Sequence, residues 1–423
     1  MKNKTIKLVI IIITLILLHN SNIYSDANHY NKIKLGIDLL EENNFNILKS
    51  KRVAILANYT ARNSSGIETV KILLNQKVFD FKYILTPEHG YFTNIPAGIT
   101  VENDSIYGIP IYSLYGNEKK PAKQLMNEID VILIDIQDIG VRSYTYISTI
   151  YKTMQQAAIF NKKVIILDRP NPIGGLIVDG NILNLKYRSF VGIVPIPYIH
   201  GLTIGELAKL INDEGWLDEN QTIFSKCDLH IIKMEGWKRW MSWEDTGLEW
   251  YPTSPHVPTM EAVRGIATLG IFGELGILSI GIGTTSPFQY IGHNIFQPYK
   301  LLEISKKVNF AGIKLNVTKY RPFYGFSNGK DLWGLYLKFP LNNEFKPYTT
   351  GIKIFAELIK NYPNIFSIDK IDNKSIQMFY KVTGTELIFK YLFETLNLEE
   401  LEKVLNHGFN DFLNLRNKYL LYD

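Results

Sequence analysis

Short, unbroken runs of apolar and β-branched residues recur through the first part of the chain, and each run ends in polar or acidic residues. Four such runs lie at residues 53–57, 79–85, 131–134 and 164–167. Runs of this kind are typical of strands that are buried on both faces of a sheet. Between them, residues 144–160 fit an amphipathic helix, and Ser65 with Glu68 predicts a capping box before a helix at residues 69–74.

Strands that alternate with helices predict an α/β fold, here a Rossmann-like, doubly wound and mainly parallel sheet. The carboxyl ends of parallel strands share one edge of the sheet, and open α/β sheets bind their ligands there. Glu88 and His89 follow the second run, and Asp135 and Asp138 follow the third. An acid and an imidazole at this edge make Glu88 the first candidate for a catalytic role.

The chain has 423 residues, of which 46% are hydrophobic and 21% are charged. A chain of this length can bury the cores of two domains. We predict a catalytic domain at residues 30–294 and a smaller α+β C-terminal domain at residues 295–423. The smaller domain is predicted from strand-like alternation at residues 314–322 and 332–339 and from helical patterns at residues 348–358 and 396–419.

The N-terminal sequence predicts the localisation of the mature protein. Three lysines within the first seven residues precede an apolar run at residues 8–18. This pattern is typical of a secretory signal peptide at residues 1–25, so the mature protein is predicted to be exported, periplasmic or secreted, without stable membrane insertion. An uncleaved N-terminal anchor is the alternative. Cys227 is the only cysteine, which rules out an intrachain disulfide and a four-cysteine metal site.

The charge pattern and the glycines argue against two classes of ligand. The formal net charge is +5, with basic and acidic residues interspersed, and such a balance predicts no nucleic-acid partner. The glycine-containing segment at residues 281–285 lacks the spacing of a dinucleotide fingerprint. No nucleotide or other cofactor is therefore predicted.

Aromatic residues cluster between residues 237 and 258. Trp237, Trp240 and Trp243 are three residues apart and would share one face of a helix. Aromatic faces suit both core packing and stacking on a sugar ring, so both interpretations stay open. The proline-rich segment at residues 252–258 predicts a rigid loop of the kind that lines a site.

Several longer motifs occur along the chain. They are Asn58-x-Thr60, Thr86-Pro87-Glu88-His89-Gly90, Pro110-Ile-Tyr-Ser-Leu-Tyr115-Gly116, Asp135-x-x-Asp138, Arg142-x-Tyr144-Thr145-Tyr146, Asp168-Arg169-Pro170-Asn171 and His200-Gly201. In this order they resemble the exo-β-N-acetylmuramidase family over nearly everything from residue 34 onward. The resemblance implies a Rossmann-like catalytic domain, a smaller C-terminal domain, and an exo-acting glycoside hydrolase that releases terminal N-acetylmuramic acid from peptidoglycan fragments in cell-wall turnover or recycling.

One motif departs from the family pattern. Family members commonly read Glu-Gly-Thr-Asn-x-Ser-x-Gly-Arg-Gly-Thr-Thr, and this chain keeps the acid as Glu274 and the serine as Ser279. The asparagine and arginine positions hold Ile277 and Ile282. An arginine binds a carboxylate through two parallel hydrogen bonds, so its loss would remove a clamp on an anionic group of the substrate.

Glycoside hydrolysis needs a proton donor for the leaving oxygen, and a second carboxylate or the substrate's own acetamido group to meet the oxocarbenium ion. We predict Glu88 as the acid, with Glu274 as the next candidate. His89 would orient Glu88 or contact sugar hydroxyls. Of Asp135 and Asp138, one is expected to pair with an arginine, which leaves the other as base, nucleophile or acetamido-polarising group.

The remaining predicted site residues are substrate ligands. Arg142 or Arg169 would pair with the lactyl carboxylate of muramic acid. The other predicted ligands are Asn58, Tyr144, Asp168, Asn171, His200 and Glu274.

Two alternatives stay open at this stage. The first is a metal-dependent hydrolase or esterase, formed if the predicted acids and histidines converge, although no metal-binding spacing such as His-Glu-x-x-His supports it and no metal is predicted. The second is a non-catalytic muropeptide-binding protein, which the altered glycine-rich motif suggests. A peptidoglycan-derived saccharide is the expected partner of the hydrolase and of the binding protein.

Overall fold

The computed structural model describes residues 33–218, 226–308 and 312–423, which form one seven-stranded and one three-stranded sheet. The predicted signal peptide at residues 1–25 lies outside the described residues. Within the described ranges, no helix is both long enough and apolar enough to cross a membrane.

The large sheet confirms the predicted doubly wound topology. Its strand order is β3-β4-β2-β1-β5-β6-β7, and every neighbouring pair is parallel except β3 with β4. The chain moves outward from β1 on one side and then on the other, so β1 marks the point where the strand order reverses. The strands are β1 (Arg52–Ala57), β2 (Asp80–Thr86), β3 (Asp104–Ile106), β4 (Ile109–Ser113), β5 (Val131–Asp135), β6 (Lys163–Leu167) and β7 (Asp228–Ile232).

Helices cover both faces of this sheet, and alternate residues of β1 contribute to two apolar cores. Ala54 and Leu56 belong to the core that includes α4 and α5, whereas Val53 and Ile55 belong to the core that includes α1 and α2. Alternation of this kind follows from the two-residue period of a strand. The helices are α1 (Gly36–Glu42), α2 (Thr69–Leu74), α3 (Lys123–Asn127), α4 (Tyr146–Ile159) and α5 (Ile204–Asp213).

The two predictions about helix starts had different outcomes. At α5, Thr203 and Glu206 form a capping box, as their spacing indicates. At α2 the predicted box is wrong, because Glu68 is the N-cap and makes no side-chain capping bond. Glu68 instead forms an ion pair with Lys71 at 2.8 Å.

The C-terminal part is built around the antiparallel sheet β8-β10-β9. Strand β8 precedes residue 294, the predicted end of the first domain, yet it pairs with β10. The predicted helix at residues 396–419 is two helices, because Gly408 is left-handed (φ 68°) and interrupts it. The elements are α6 (Met260–Gly273), β8 (Tyr290–His293), α7 (Pro298–Lys307), β9 (Lys314–Tyr320), β10 (Leu332–Lys338), α8 (Pro347–Asn361), α9 (Asn373–Thr383), α10 (Leu387–Lys390), a π-helix (Tyr391–Thr395), α11 (Leu398–Asn406) and α12 (Phe409–Asn417).

Short 3₁₀ turns complete the described structure; they lie at Asn46–Leu48, Leu185–Tyr187, Glu244–Thr246 and Ile368–Lys370.

The tryptophan cluster is not helical, so the three indoles do not share a face. Trp237 and Trp243 are buried, each with its ring centroid 5.1 Å from a second aromatic ring, Tyr422 and Trp250 respectively. Trp240 is 47% exposed. The core-packing interpretation therefore holds for two of the three indoles.

The contact between α6 and α8 leaves no space for a side chain at Gly351, because a β-carbon there would overlap the Thr268 carbonyl oxygen. We expect Gly351→Ala to lower the free energy of unfolding by about 1–3 kcal/mol, the usual effect of overpacking a close contact. Denaturant unfolding would measure this loss, with Lys360→Ala on the exposed part of α8 as the control. Equal midpoints for the two variants would contradict the prediction.

Candidate active site

A cavity of about 430 Å³ lies beyond the carboxyl ends of β2 and β5. Glu88 and His89 enter it from the loop after β2, and Tyr144 enters it just before α4. Its other walls come from the proline-rich loop, where Ser254 and His256 line it, and from α6, α9 and the loop between α6 and β8. The loop at residues 252–258 therefore lines this cavity, as a rigid loop beside a site was predicted to do.

The turn after β2 aims Glu88 into the cavity. His89 has a left-handed backbone (φ 72°), as has Gly90 (φ 73°). Left-handed residues other than glycine are uncommon, and they cluster at functional sites. The Gly98 N–H donates to Glu88 Oε1 at 2.8 Å, and Thr145 Oγ1 bonds Oε2 at 2.6 Å. Two groups from different loops therefore fix the Glu88 carboxyl.

His89 has its own backbone partner. Its Nδ1 lies 2.8 Å from the Ile95 carbonyl oxygen, which can only accept, so Nδ1 carries a proton and Nε2 is the unprotonated nitrogen of the neutral ring. Burial lowers the pKa of His89, against the opposing charge of Glu88. Gly98 and Thr145, and not His89, therefore orient the Glu88 carboxyl. Contact of His89 with sugar hydroxyls stays a prediction.

Glu274 lies at the C-cap of α6 and lines the same cavity. Its carboxyl forms no hydrogen bond or ion pair with the described residues, and apolar side chains such as Ile266 and Ile280 line the cavity around it. Burial raises the pKa of Glu274. Two carboxyl groups in unlike surroundings therefore face one cavity.

Three further cavity residues were not in the predicted site. Tyr115 lies beside Glu88, and burial followed by the Glu88 charge raises its pKa. His256 stacks on Tyr324 with ring centroids 5.9 Å apart, and burial followed by the nearby His89 lowers its pKa. Thr145 holds Glu88. Tyr115 and Thr145 stand inside motifs that carry the family resemblance, which was the available signal.

Asp135 and Asp138 have different partners. Asp135 forms a fully buried ion pair with Arg169, and Thr69 Oγ1 donates to its other oxygen at 2.5 Å. Asp138 has no arginine partner; the Gly140 N–H donates to its Oδ2 at 2.7 Å, and its Oδ1 is buried with no partner among the described residues. Burial raises the pKa of Asp138 to about 7. Neither carboxyl lines the cavity.

Arg142 lies behind the cavity wall rather than on it. Its Nη1 donates to the carbonyls of Asn181 (2.8 Å) and Ile196 (2.7 Å), and its Nη2 donates to that of Thr383 (2.7 Å). These bonds join the two parts of the chain. Neither Arg142 nor Arg169, which is paired with Asp135, lines this cavity, so the structure does not place the predicted lactyl clamp here.

Asp168 also has a different position from the one expected. Its carboxyl accepts hydrogen bonds from Thr203 Oγ1 (2.7 Å), the Gly205 N–H (2.8 Å) and the Tyr422 hydroxyl (2.6 Å). Burial raises its pKa to about 6, although these bonds oppose the shift. Asp168 therefore attaches β6 to the start of α5 and to the C-terminus.

The predicted amide and imidazole ligands are likewise inside the fold. Asn58 donates to the Tyr146 hydroxyl at 2.8 Å, and Asn171 donates to the Leu202 carbonyl at 3.0 Å. His200 is fully buried, with Nδ1 accepting from the Leu202 N–H at 3.2 Å, and burial lowers its pKa to about 3. Of the predicted site residues, the cavity brings together Glu88, His89, Tyr144 and Glu274.

The residues of the metal-dependent alternative do not converge. Glu88 and His89 face the cavity, whereas Asp135, Asp168 and His200 are enclosed elsewhere with their own partners. Among residues 33–218, 226–308 and 312–423, no group of three or more His, Cys, Asp or Glu side chains is placed to hold a metal ion.

Known proteins resemble this chain over most of its length. The sequence profile described as Exo-beta-N-acetylmuramidase NamZ, N-terminal, matches residues 53–261, and the corresponding C-terminal profile matches residues 266–422. The chain is 33% identical over 393 residues to the peptidoglycan beta-N-acetylmuramidase NamZ of Bacillus subtilis (strain 168), with 92% of each chain covered.

Two crystal structures of DUF1343 family proteins from Bacteroides fragilis NCTC 9343 share the fold. One has a TM-score of 0.85 at 37% identity, and the other has a TM-score of 0.70 at 29% identity. Each comparison covers 93% of this chain and 99% of the other. With both profiles matched in order and a relative aligned over nearly its whole length, the chain belongs to the exo-beta-N-acetylmuramidase family.

Proposed function

We propose that this chain is an exo-acting glycoside hydrolase that releases terminal N-acetylmuramic acid from peptidoglycan fragments, with Glu88 and Glu274 as its two catalytic carboxyl groups. The observation that carries the proposal is that both carboxyls face one cavity large enough for a sugar. Most glycoside hydrolases place a pair of carboxyl groups on either side of the scissile bond.

The different surroundings of the two carboxyls give them different roles in the reaction. Two carboxyl groups in unlike environments can serve as the acid and as the charged partner of such a reaction. Glu274 has a pKa raised by burial and no bonding partner among the described residues, so it donates a proton to the leaving oxygen. Glu88 accepts from the Gly98 N–H, and its carboxylate faces the oxocarbenium-like transition state. Proton donation, predicted from the sequence for Glu88, is thus assigned to Glu274.

Residues around the pair position the substrate and the acids. The Tyr144 hydroxyl donates to Thr253 Oγ1 at 2.8 Å, and the Tyr146 hydroxyl donates to the Thr253 carbonyl at 2.6 Å. These bonds fix the proline-rich loop against the segment that carries Thr145, which holds Glu88. The unprotonated Nε2 of His89 is then available as an acceptor for a sugar hydroxyl.

Asp138 acts on stability rather than on bond cleavage. It lies outside the cavity wall, and one of its oxygens is buried without a partner among the described residues. An unpaired buried carboxylate is costly, so the folded state favours the protonated form.

The proposed site of action is outside the cytoplasm, because the lysine-rich start and the apolar run at residues 8–18 have the pattern of a secretory signal. A peptidoglycan substrate is found in that compartment.

Substitution of the carboxyls tests the catalytic pair. We expect Glu88→Gln and Glu274→Gln each to lower kcat/KM on a muramyl disaccharide by roughly 100-fold or more, since each removes an acid or a charge from the transition state. On an aryl glycoside, whose phenolate leaves without a proton, Glu274→Gln should lose much less than Glu88→Gln. Glu261→Gln, at the exposed start of α6, is the control. Near wild-type rates for both folded variants would refute the pair.

The pKa of Asp138 predicts a pH dependence of stability. The folded-state pKa of about 7 is above the ordinary value of 3.8, so the folded state binds the proton more tightly than the unfolded state. Its contribution to stability is complete below pH 3.8 and is lost as the pH rises through about 7. In denaturant titrations from pH 4 to pH 8, Asp138→Asn should therefore show a flatter decline than the wild type. Parallel curves would contradict this prediction.

Export is tested by the mass of the mature chain. We expect the protein isolated from its native cells to begin near residue 26 and to be found outside the cytoplasm, because signal cleavage removes residues 1–25. Intact-mass spectrometry and cell fractionation measure both properties. A soluble cytoplasmic protein that retains residues 1–25 would contradict export.

A further inference from the structure

The cavity walls carry two acidic side chains and two histidines. Among the described residues that line it, Glu88 and Glu274 are the acids, and there is no lysine or arginine. His89 and His256 also line it, and burial lowers the pKa of each, so both rings are neutral near pH 7. A ligand in this cavity therefore meets negative charge without a compensating cation.

Arg142 does not supply the missing charge. It lies behind Tyr198 and Val382, which line the wall, with its guanidinium carbon 5.6 Å from the Tyr198 ring centroid. Its Nη2 donates to the Thr383 carbonyl at 2.7 Å rather than toward the cavity. A carboxylate of the ligand would find no donor of Arg142 within the cavity.

Ile282 lines the cavity at the position where the family pattern has an arginine. It lies between Gly281 (φ 83°) and Gly283 (φ 80°), and it lines the cavity together with Ile280. Met378 and Val382 of α9 add apolar surface. An arginine at position 282 would be long enough to reach over this surface, whereas isoleucine leaves it uncharged.

A free lactyl carboxylate is poorly suited to this cavity. Removing a carboxylate from water without a cationic partner is unfavourable, and the Glu88 carboxylate would repel it. When a peptide stem is attached, the same lactyl carbon forms an amide, which carries no charge. The lactyl methyl group matches a wall formed by Ile282, Met378 and Val382, and the amide brings no charge for the Glu88 carboxylate to repel.

We infer, resting on the proposed function, that this cavity prefers a terminal N-acetylmuramic acid residue whose lactyl group is an amide, as in a peptide-bearing fragment, over one with a free lactyl carboxylate. Ile282 is the residue that sets this preference.

The test uses the mature protein and two aryl β-glycosides of N-acetylmuramic acid, one with a free lactyl carboxylate and one with its N-methyl amide. We expect kcat/KM at pH 7 to be about tenfold or more higher for the amide. Equal efficiency, or preference for the free acid, would overturn the inference and leave the proposed function intact. Hydrolysis of neither glycoside would reject the proposed function itself.

A pair of variants tests the role of Ile282. Ile282→Arg should shift the ratio of the two efficiencies toward the free acid by about tenfold or more, because it adds a charge-assisted hydrogen bond. Ile282→Met, which keeps an apolar side chain, should retain the wild-type ratio. Thermal unfolding verifies that both variants are folded. An unchanged ratio in folded Ile282→Arg would overturn the assignment of the preference to this position.

Discussion

The hydrogen bonds of the buried Asp168 carboxylate hold the catalytic part and the C-terminus in one arrangement. Thr203, the Gly205 N–H and Tyr422 all donate to it, so a strand end, a helix start and the last residues of the chain meet at one side chain. Donors of this kind offset the cost of burying the charge. Nearby, Glu206 accepts from Arg239 Nη1 at 2.6 Å and from the Leu421 N–H at 2.8 Å, which extends the same connection. The cavity walls come from both parts of the chain, so the cavity depends on this attachment.

The sequence was sufficient for the four central strands of the large sheet because strand burial is a local property. Unbroken apolar runs predicted β1, β2, β5 and β6. Their alternation with helices predicted that these strands run parallel. Helix ends were harder to predict. Serine is a typical N-cap residue, yet the N-cap of α2 is Glu68 and not Ser65. The break at Gly408 depends on a left-handed backbone that an apolar pattern does not reveal.

The site was predicted less completely, for a reason that follows from its construction. Position after a strand indicates that a polar residue is near the edge of the sheet, but not whether its side chain turns inward. The side chains of Asp135, Asp168 and Asn58 point into the protein and form hydrogen bonds with other residues. The Glu88 side chain instead faces the cavity. The family resemblance added Glu274, which lies beyond the large sheet and reaches the cavity only because α6 ends there. No pattern in the chain places those two acids in one cavity.

The inward-turned residues explain how a sheet edge with two arginines yields a cavity whose described lining has neither arginine nor lysine. Each buried carboxylate or guanidinium needs partners, and Arg169 with Asp135 and Arg142 with backbone carbonyls satisfy that need inside the protein. Neither arginine lines the cavity that holds Glu88 and Glu274. The Glu88 carboxylate is thereby left without a neighbouring arginine or lysine on the described cavity wall, and the apolar part of that wall suits an uncharged face of the substrate. Catalytic carboxyls without a neighbouring cation favour the positive oxocarbenium-like transition state over an anionic ground state, so the structural use of the arginines also determines how charge acts in the reaction.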